Sequence, residues 1–200
     1  MPSLPNSAVQ DLTQLSRQDI EPEIDKLREL VTLALAEAKR LRASAAEASA
    51  NLDAGFSVAV RQGEVETVEQ QRDRSIGVTV YFGQRKAHAS SADFSTKAIN
   101  DCVAAAVSRA RFTAEDDCAG LAAAELMARE APDLDLWHPW DITPDAAIAL
   151  ALEAESAALA TDDRISNSDG SNVNTGGGIR VYGNSHGFMG VQAGTSHSLS

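Results

Sequence analysis

Apolar and polar positions along the chain follow two different periods. Residues 1–18 follow neither; they are polar, broken by prolines, and read as a flexible leader. From Ile20 onward, Ile24, Leu27, Val31, Leu35, Ala38, Leu41 and Ala45 recur every three or four residues, which predicts a helix with one apolar stripe. Acidic residues at its start (Asp19, Glu21, Glu23) and basic ones later (Lys39, Arg40, Arg42) suit the helix dipole. Asn51 to Gly55 is expected to close it. The period then becomes two. Phe56, Val58 and Val60 alternate up to the turn signal Arg61-Gln62-Gly63, and Glu64 to Gln70 reads as the partner strand. Its Glu64, Glu66 and Glu69 form a solvated face. Ile76, Val78, Val80 and Phe82 resume the alternation to a turn at Gly83-Gln84, and Lys86 to Ser91 returns. Four short strands joined by short turns predict an antiparallel meander.

Helical spacing resumes after Ser95, a suitable N-cap, with Ile99, Cys102, Val103, Ala106 and Ala110 on one face. A short helical piece is predicted over Leu121 to Arg129. The segment from Pro132 to Pro144 is a loop whose Trp137 and Trp140 anchor it back on the helices. Thr143-Pro144-Asp145 is a strong helix start, followed by a buried side of Ile148, Ala151, Leu152 and Leu159. Arg164 to Asn167 is expected to open a second strand region. After it, Ile179 and Val181 alternate with Arg180 and Tyr182, and the glycine-rich stretch Gly183 to Gly187 reverses the chain into Phe188 to Ala193. Gly77-Val78-Thr79-Val80-Tyr81 and Gly178-Ile179-Arg180-Val181-Tyr182 share a pattern, a weak hint of repetition. The fold class is therefore α+β, an antiparallel β-meander and hairpins packed with α-helices. Its divisions are a leader (1–18), an α+β domain (19–160) and the start of a further β-rich region (161–200).

Composition narrows the function classes. A net charge of -12, with no basic stripe interleaved with aromatics, argues against a nucleic-acid partner. No apolar run approaches a membrane span, so no membrane partner is expected, and the first residues lack a signal peptide's basic and apolar regions. A reduced, cytoplasmic setting is the expectation. Cys102 lies on an apolar helix face, and Cys118 follows two aspartates that disfavour a thiolate. Around His88, His138, His186 and His197 there is no His-Glu-x-x-His pattern and no Cys-x-x-Cys anywhere. Gly176-Gly177-Gly178 leads to no Gly-Lys-Ser/Thr, and no Gly-x-Ser-x-Gly elbow exists. No catalytic or metal-binding residue is assigned, and binding residues remain unassigned.

Several pieces in sequence order nevertheless resemble one family. They are Gly63-Glu64-Val65-Glu66, Gly77-Val78-Thr79-Val80-Tyr81, Cys118-Ala119-Gly120, Ala131-Pro132-Asp133-Leu134-Asp135-Leu136, His138-Pro139 and Val181-Tyr182-Gly183-Asn184-Ser185-His186-Gly187. Together they are similar to the PmbA/TldE subunit of the TldD/TldE metalloprotease family. The resemblance implies a bacterial cytoplasmic heterodimer that cleaves peptides, including a microcin-type precursor leader and an antitoxin. It implies a TldD-like protease subunit as partner, with zinc held there by a His-Glu-x-x-x-His helix and a later Cys, and no cofactor in this chain. Family members continue for about as long again, so an N-terminal portion is expected. Two alternatives stand beside it: a metallopeptidase whose catalytic half lies downstream of residue 200, and a non-enzymatic interaction module.

Overall fold

The computed structural model describes residues 12–128 and 132–200. The first apolar stripe folds as α1 (Glu21–Arg40), burying Ile24, Leu27, Val31, Ala34 and Ala38. Pro22 occupies its first turn, where a missing N–H costs nothing. The helix stops before its alanine-rich continuation. Arg42 adopts a left-handed backbone with φ of 64°. Its N–H donates to the Lys39 carbonyl at 3.0 Å, and that of Ala43 to the Ala38 carbonyl at 3.1 Å. This double closure is a Schellman motif formed without glycine.

Residues 45–55, expected within or closing that helix, instead begin β1 (Ala45–Arg61). Ala46, Ala48, Ala50, Leu52 and Ala54 are buried and the polar residues between them are not, so the period here is two. The chain turns at Gln62 and Gly63, both with positive φ (53° and 77°), as a two-residue hairpin requires. It continues in β2 (Glu64–Phe82) and β3 (Arg85–Ser91). The expected four-strand meander is thus three strands, because Glu64 to Phe82 runs unbroken against β1. α2 (Thr96–Ala110) starts as expected: the Ser95 hydroxyl accepts from the Ala98 N–H at 3.3 Å.

Where a helix was expected over Leu121 to Arg129, only a 3-10 turn, Ala124–Leu126, is found among the described residues. α3 (Pro144–Leu159) is capped by Thr143 as predicted, but its fully buried side is Ala147, Ala151 and Glu155. Arg164 to Asn167 is irregular, and β4 (Ser171–Asn184) begins later, followed by β5 (Met189–Leu199). The sheet is antiparallel throughout, in the order β3-β2-β1-β4-β5. β4 pairs with β1 from Asn184–Glu47 to Ser171–Val60, so the sheet is continuous across residue 160.

Part of the expected leader is also packed. Residues 1–11 lie outside the described residues, but Leu12 is only 1% exposed and belongs to the main core. The Trp137 indole N–H donates to the Leu15 carbonyl at 2.9 Å. As expected, the tryptophans anchor their segment, Trp137 in the main core cluster and Trp140 against the one under α3, but its backbone does not lie on the helices. It runs along the edge of β5, where the Thr195 N–H donates to the Leu136 carbonyl at 2.9 Å and the His138 N–H to the Thr195 hydroxyl at 3.0 Å.

α3 covers a second apolar cluster of Val58, Val60, Ile142, Ala147, Ala151 and Val173. Its Glu155, 3% exposed, ties the helix to the β1–β2 hairpin tip. One oxygen accepts the Gln62 N–H at 2.8 Å and the other the Gly63 N–H at 2.9 Å. The Gly63 bond, outweighing the opposing effect of burial, holds this carboxyl below the ordinary glutamate range. A depressed folded-state pKa contributes stability in full above the unfolded value of about 4.3, and the contribution fades as pH falls through the folded value. Glu155→Ala is expected to lower the melting temperature at pH 7. Calorimetry at pH 7 and pH 3 should show the gap from wild type narrowing in acid.

Candidate functional site

Buried positions of β1 (Ala46 through Val60) and of β4 (Val173, Ile179, Val181) share the two clusters under the three helices. Strand alternation therefore sends Glu47, Ser49, Asn51 and Asp53 of β1 to the opposite face, with Gly176, Gly178, Arg180 and Tyr182 beside them on β4. This face carries a groove of about 830 Å³. Asn51, Asp53, Gln71, Asp73, Arg180 and Gln192 supply its polar walls, and Gly176 to Gly178 its floor.

The glycines make the groove by what they lack. A Cβ on Gly178 would collide with the Asp53 carboxylate. One on Gly177, which faces the core, would lie 3.0 Å from the Trp137 ring. Gly55, paired with Gly176, has no room for a Cβ either: it would sit 2.5 Å from the Thr175 carbonyl oxygen. Three consecutive glycines thus let a tryptophan pack from one side and leave a trough on the other. Its amides and carboxylates are suited to hold a polar, extended ligand.

Burial, and then the neighbouring Asp73 carboxylate, raise the Asp53 carboxyl above its ordinary range. The two aspartates are cross-strand partners in the β1–β2 ladder. A raised carboxylate pKa means that ionisation opposes folding: stability increases as pH falls through the folded value and levels off below the unfolded one. Asp53→Asn is expected to raise the melting temperature modestly at pH 7, since the side chain still reaches solvent. The increment should vanish at pH 3, as thermal scans of both proteins at the two pH values can show.

The histidines do not converge. The His88 ring meets the Thr79 hydroxyl at 3.3 Å, and the His138 ring meets the Asp135 carbonyl at 2.7 Å. His197 bridges the Thr175 hydroxyl and the His138 carbonyl, both at 2.8 Å, with Trp140 edge-on at 5.7 Å. His186 lies in the β4–β5 turn, where its N–H donates to the Asn184 side chain at 3.0 Å. Cys102 is buried, with its thiol pKa pushed up by burial, and Cys118 is exposed elsewhere. Among the described residues no three His, Cys, Asp or Glu side chains come together as metal ligands. A resident zinc does not fit them.

The repeat hint acquires a structural meaning. Tyr81 and Tyr182, the last residues of the two similar segments, flank β1 from opposite sides. The Tyr81 hydroxyl donates to one oxygen of Glu47 at 2.9 Å and the Tyr182 hydroxyl to the other at 2.7 Å. Sequence reading missed Glu47 because Ala45 to Gly55 was assigned to a helix. The alternation of alanine with polar residues in Ala46-Glu47-Ala48-Ser49-Ala50-Asn51 was the available signal.

Two family models match the chain: PmbA/TldA metallopeptidase domain 1 over residues 46–110 and the PmbA/TldA metallopeptidase central domain over residues 137–200. The chain is also 46% identical to Metalloprotease PmbA of Escherichia coli O157:H7 over 181 residues, 90% of its own length. It belongs to the PmbA/TldD metallopeptidase family. A Metalloprotease PmbA homolog from Haemophilus influenzae is 44% identical over the same span. The chain spans 40% of the length of these two relatives.

Solved structures show the same PmbA/TldD fold. A proposed modulator of DNA gyrase from Bacteroides thetaiotaomicron superposes with a TM-score of 0.79 at 23% identity, covering 88% of this chain and 40% of that one. TldE from Thermococcus kodakarensis superposes at 0.69 with 14% identity, covering 87% and 38%. Several of the resembling segments occupy defined places in the fold: Gly63 to Glu66 at the β1–β2 hairpin tip, Gly77 to Tyr81 in the last part of β2, and Val181 to Gly187 at the end of β4 and the turn after it.

Proposed function

We propose that this chain is part of the TldE-type subunit of a two-subunit cytoplasmic metalloprotease, and that it serves as scaffold and peptide-binding wall. In this reading a TldD-like subunit holds the zinc and performs hydrolysis. The substrates are peptides of the microcin-leader or antitoxin kind, bound extended. The observation that carries the proposal is the 46% identity to Metalloprotease PmbA across nearly the whole chain. The polar groove supports the binding role. β2 adds a second means of holding peptides: among the described residues β3 pairs with Ile76 to Phe82 and β2 runs on beyond that ladder, and an extended peptide can be held by adding a strand along such a sheet edge. No catalytic role is given to any of these 200 residues.

Co-expression with a TldD-like protein, followed by size-exclusion chromatography and metal analysis, tests the assignment. The expected result is co-elution with zinc in the complex and none retained by this subunit alone. One tightly held zinc per molecule in these 200 residues would favour an independent metallopeptidase instead.

A further inference from the structure

A smaller cavity, of about 330 Å³, lies near the end of β4, and Glu47 is among the residues that line it. Both carboxylate oxygens already accept a tyrosine hydroxyl. Burial and the adjacent carboxylate raise the pKa of both phenols, so they stay protonated donors and fix the plane of the carboxylate. A carboxylate offers about four acceptor positions, two per oxygen. Among the described residues one position on each oxygen has no partner. Among the described residues Glu47 has no cationic partner, unlike the acidic residues paired on the outer surface.

The surroundings indicate what would complete it. Phe188 and Tyr182 stand 6.0 Å apart at a tilt of 51°, and both line the cavity with Tyr81. Met127 is held over it, its sulfur accepting from the Asn184 amide at 3.2 Å. Aromatic walls attract a planar cation. The two oxygens of one carboxylate, each with an acceptor position to spare, suit the two-pronged fork of a guanidinium, whereas an ammonium would engage them less fully. One carboxylate balances one cation.

We propose that the cavity around Glu47, Tyr81, Tyr182 and Phe188 is a receptor for a single guanidinium group, that of an arginine side chain on a bound peptide. The inference goes beyond the proposed protease role, because it concerns binding alone and can hold or fail whatever is cleaved.

The test is calorimetric or NMR titration of the full-length protein with N-acetyl-arginine amide and with N-acetyl-citrulline amide, its near-isosteric neutral counterpart. The arginine compound is expected to bind and the citrulline compound to bind at least about tenfold more weakly, as loss of a charged hydrogen-bond partner implies. Glu47→Gln should weaken arginine binding by about ten- to a hundredfold. Tyr182→Phe, which keeps the charge but frees one oxygen, should weaken it less. If Glu47→Gln does not fold, the arginine–citrulline comparison on the unaltered protein decides. Equal binding of the two compounds, absence of arginine binding, or a folded Glu47→Gln variant that binds normally would each overturn the proposal.

Discussion

Replacing Trp137 with alanine is expected to destabilise the protein by about 3–5 kcal/mol, the range for emptying a buried tryptophan site. Trp137 is 5% exposed and lies in the main core cluster. It touches two separate parts of the chain, the Leu15 carbonyl through its indole N–H and Gly177 through its ring, while the adjoining Leu136 and His138 bond β5. Alanine would leave a cavity beneath the Leu12–Ile20 segment and a carbonyl without its donor. Trp140 is only partly buried and packs against the smaller cluster under α3, so Trp140→Ala should cost clearly less. Urea denaturation of the two variants measures this. A Trp137→Ala cost of about 0.5 kcal/mol or less, the level of ordinary surface changes, would contradict the packing described here.

The second large effect comes from adding rather than removing atoms. Gly55→Ala places a methyl group 2.5 Å from the Thr175 carbonyl oxygen and 3.0 Å from the Gly176 Cα. Both neighbours are backbone in the adjacent strand, so neither can swing aside as a side chain would. Strands β1 and β4 must separate locally, at a cost of about 1–3 kcal/mol or more. The same shift raises the groove floor, so weaker peptide binding should accompany the lost stability. Gly120→Ala is the matched control. No atom lies near its added Cβ and its φ is unremarkable, so the change should fall within about 0.5 kcal/mol. Thermal scans that fail to separate the two variants would show that the strands are more loosely apposed than the structure has them.

The sequence pattern exposed some elements fully and others hardly at all. α2 and α3 were legible because Ser95 and Thr143 cap them with their own side chains. The β4–β5 hairpin was legible because Ile179 and Val181 alternate with polar neighbours next to a glycine-rich reversal. The end of α1 was not. Arg42 takes the left-handed position usually given to glycine, and the alanines that follow satisfy a helical and a strand period equally well. That ambiguity displaced the start of β1 and concealed Glu47. β2 was divided in two because Glu64 to Arg74 is exposed on both sides and shows no buried face to read. The groove could not be seen from any one segment. It depends on Gly55, Asp73 and Gly176 meeting across three strands, a registration that only the folded sheet fixes. The family, by contrast, was legible from short ordered motifs even where their structural roles were not.

The central claim is that this chain contributes binding and scaffold to a protease whose metal chemistry belongs to its partner. The most direct measurement is cleavage of a leader-type peptide by the full-length protein and a TldD-like subunit, each alone and then together, with and without added zinc. The account predicts cleavage only by the pair, lost on chelation and restored by zinc. Full cleavage by the partner alone, or by this protein alone, would contradict it.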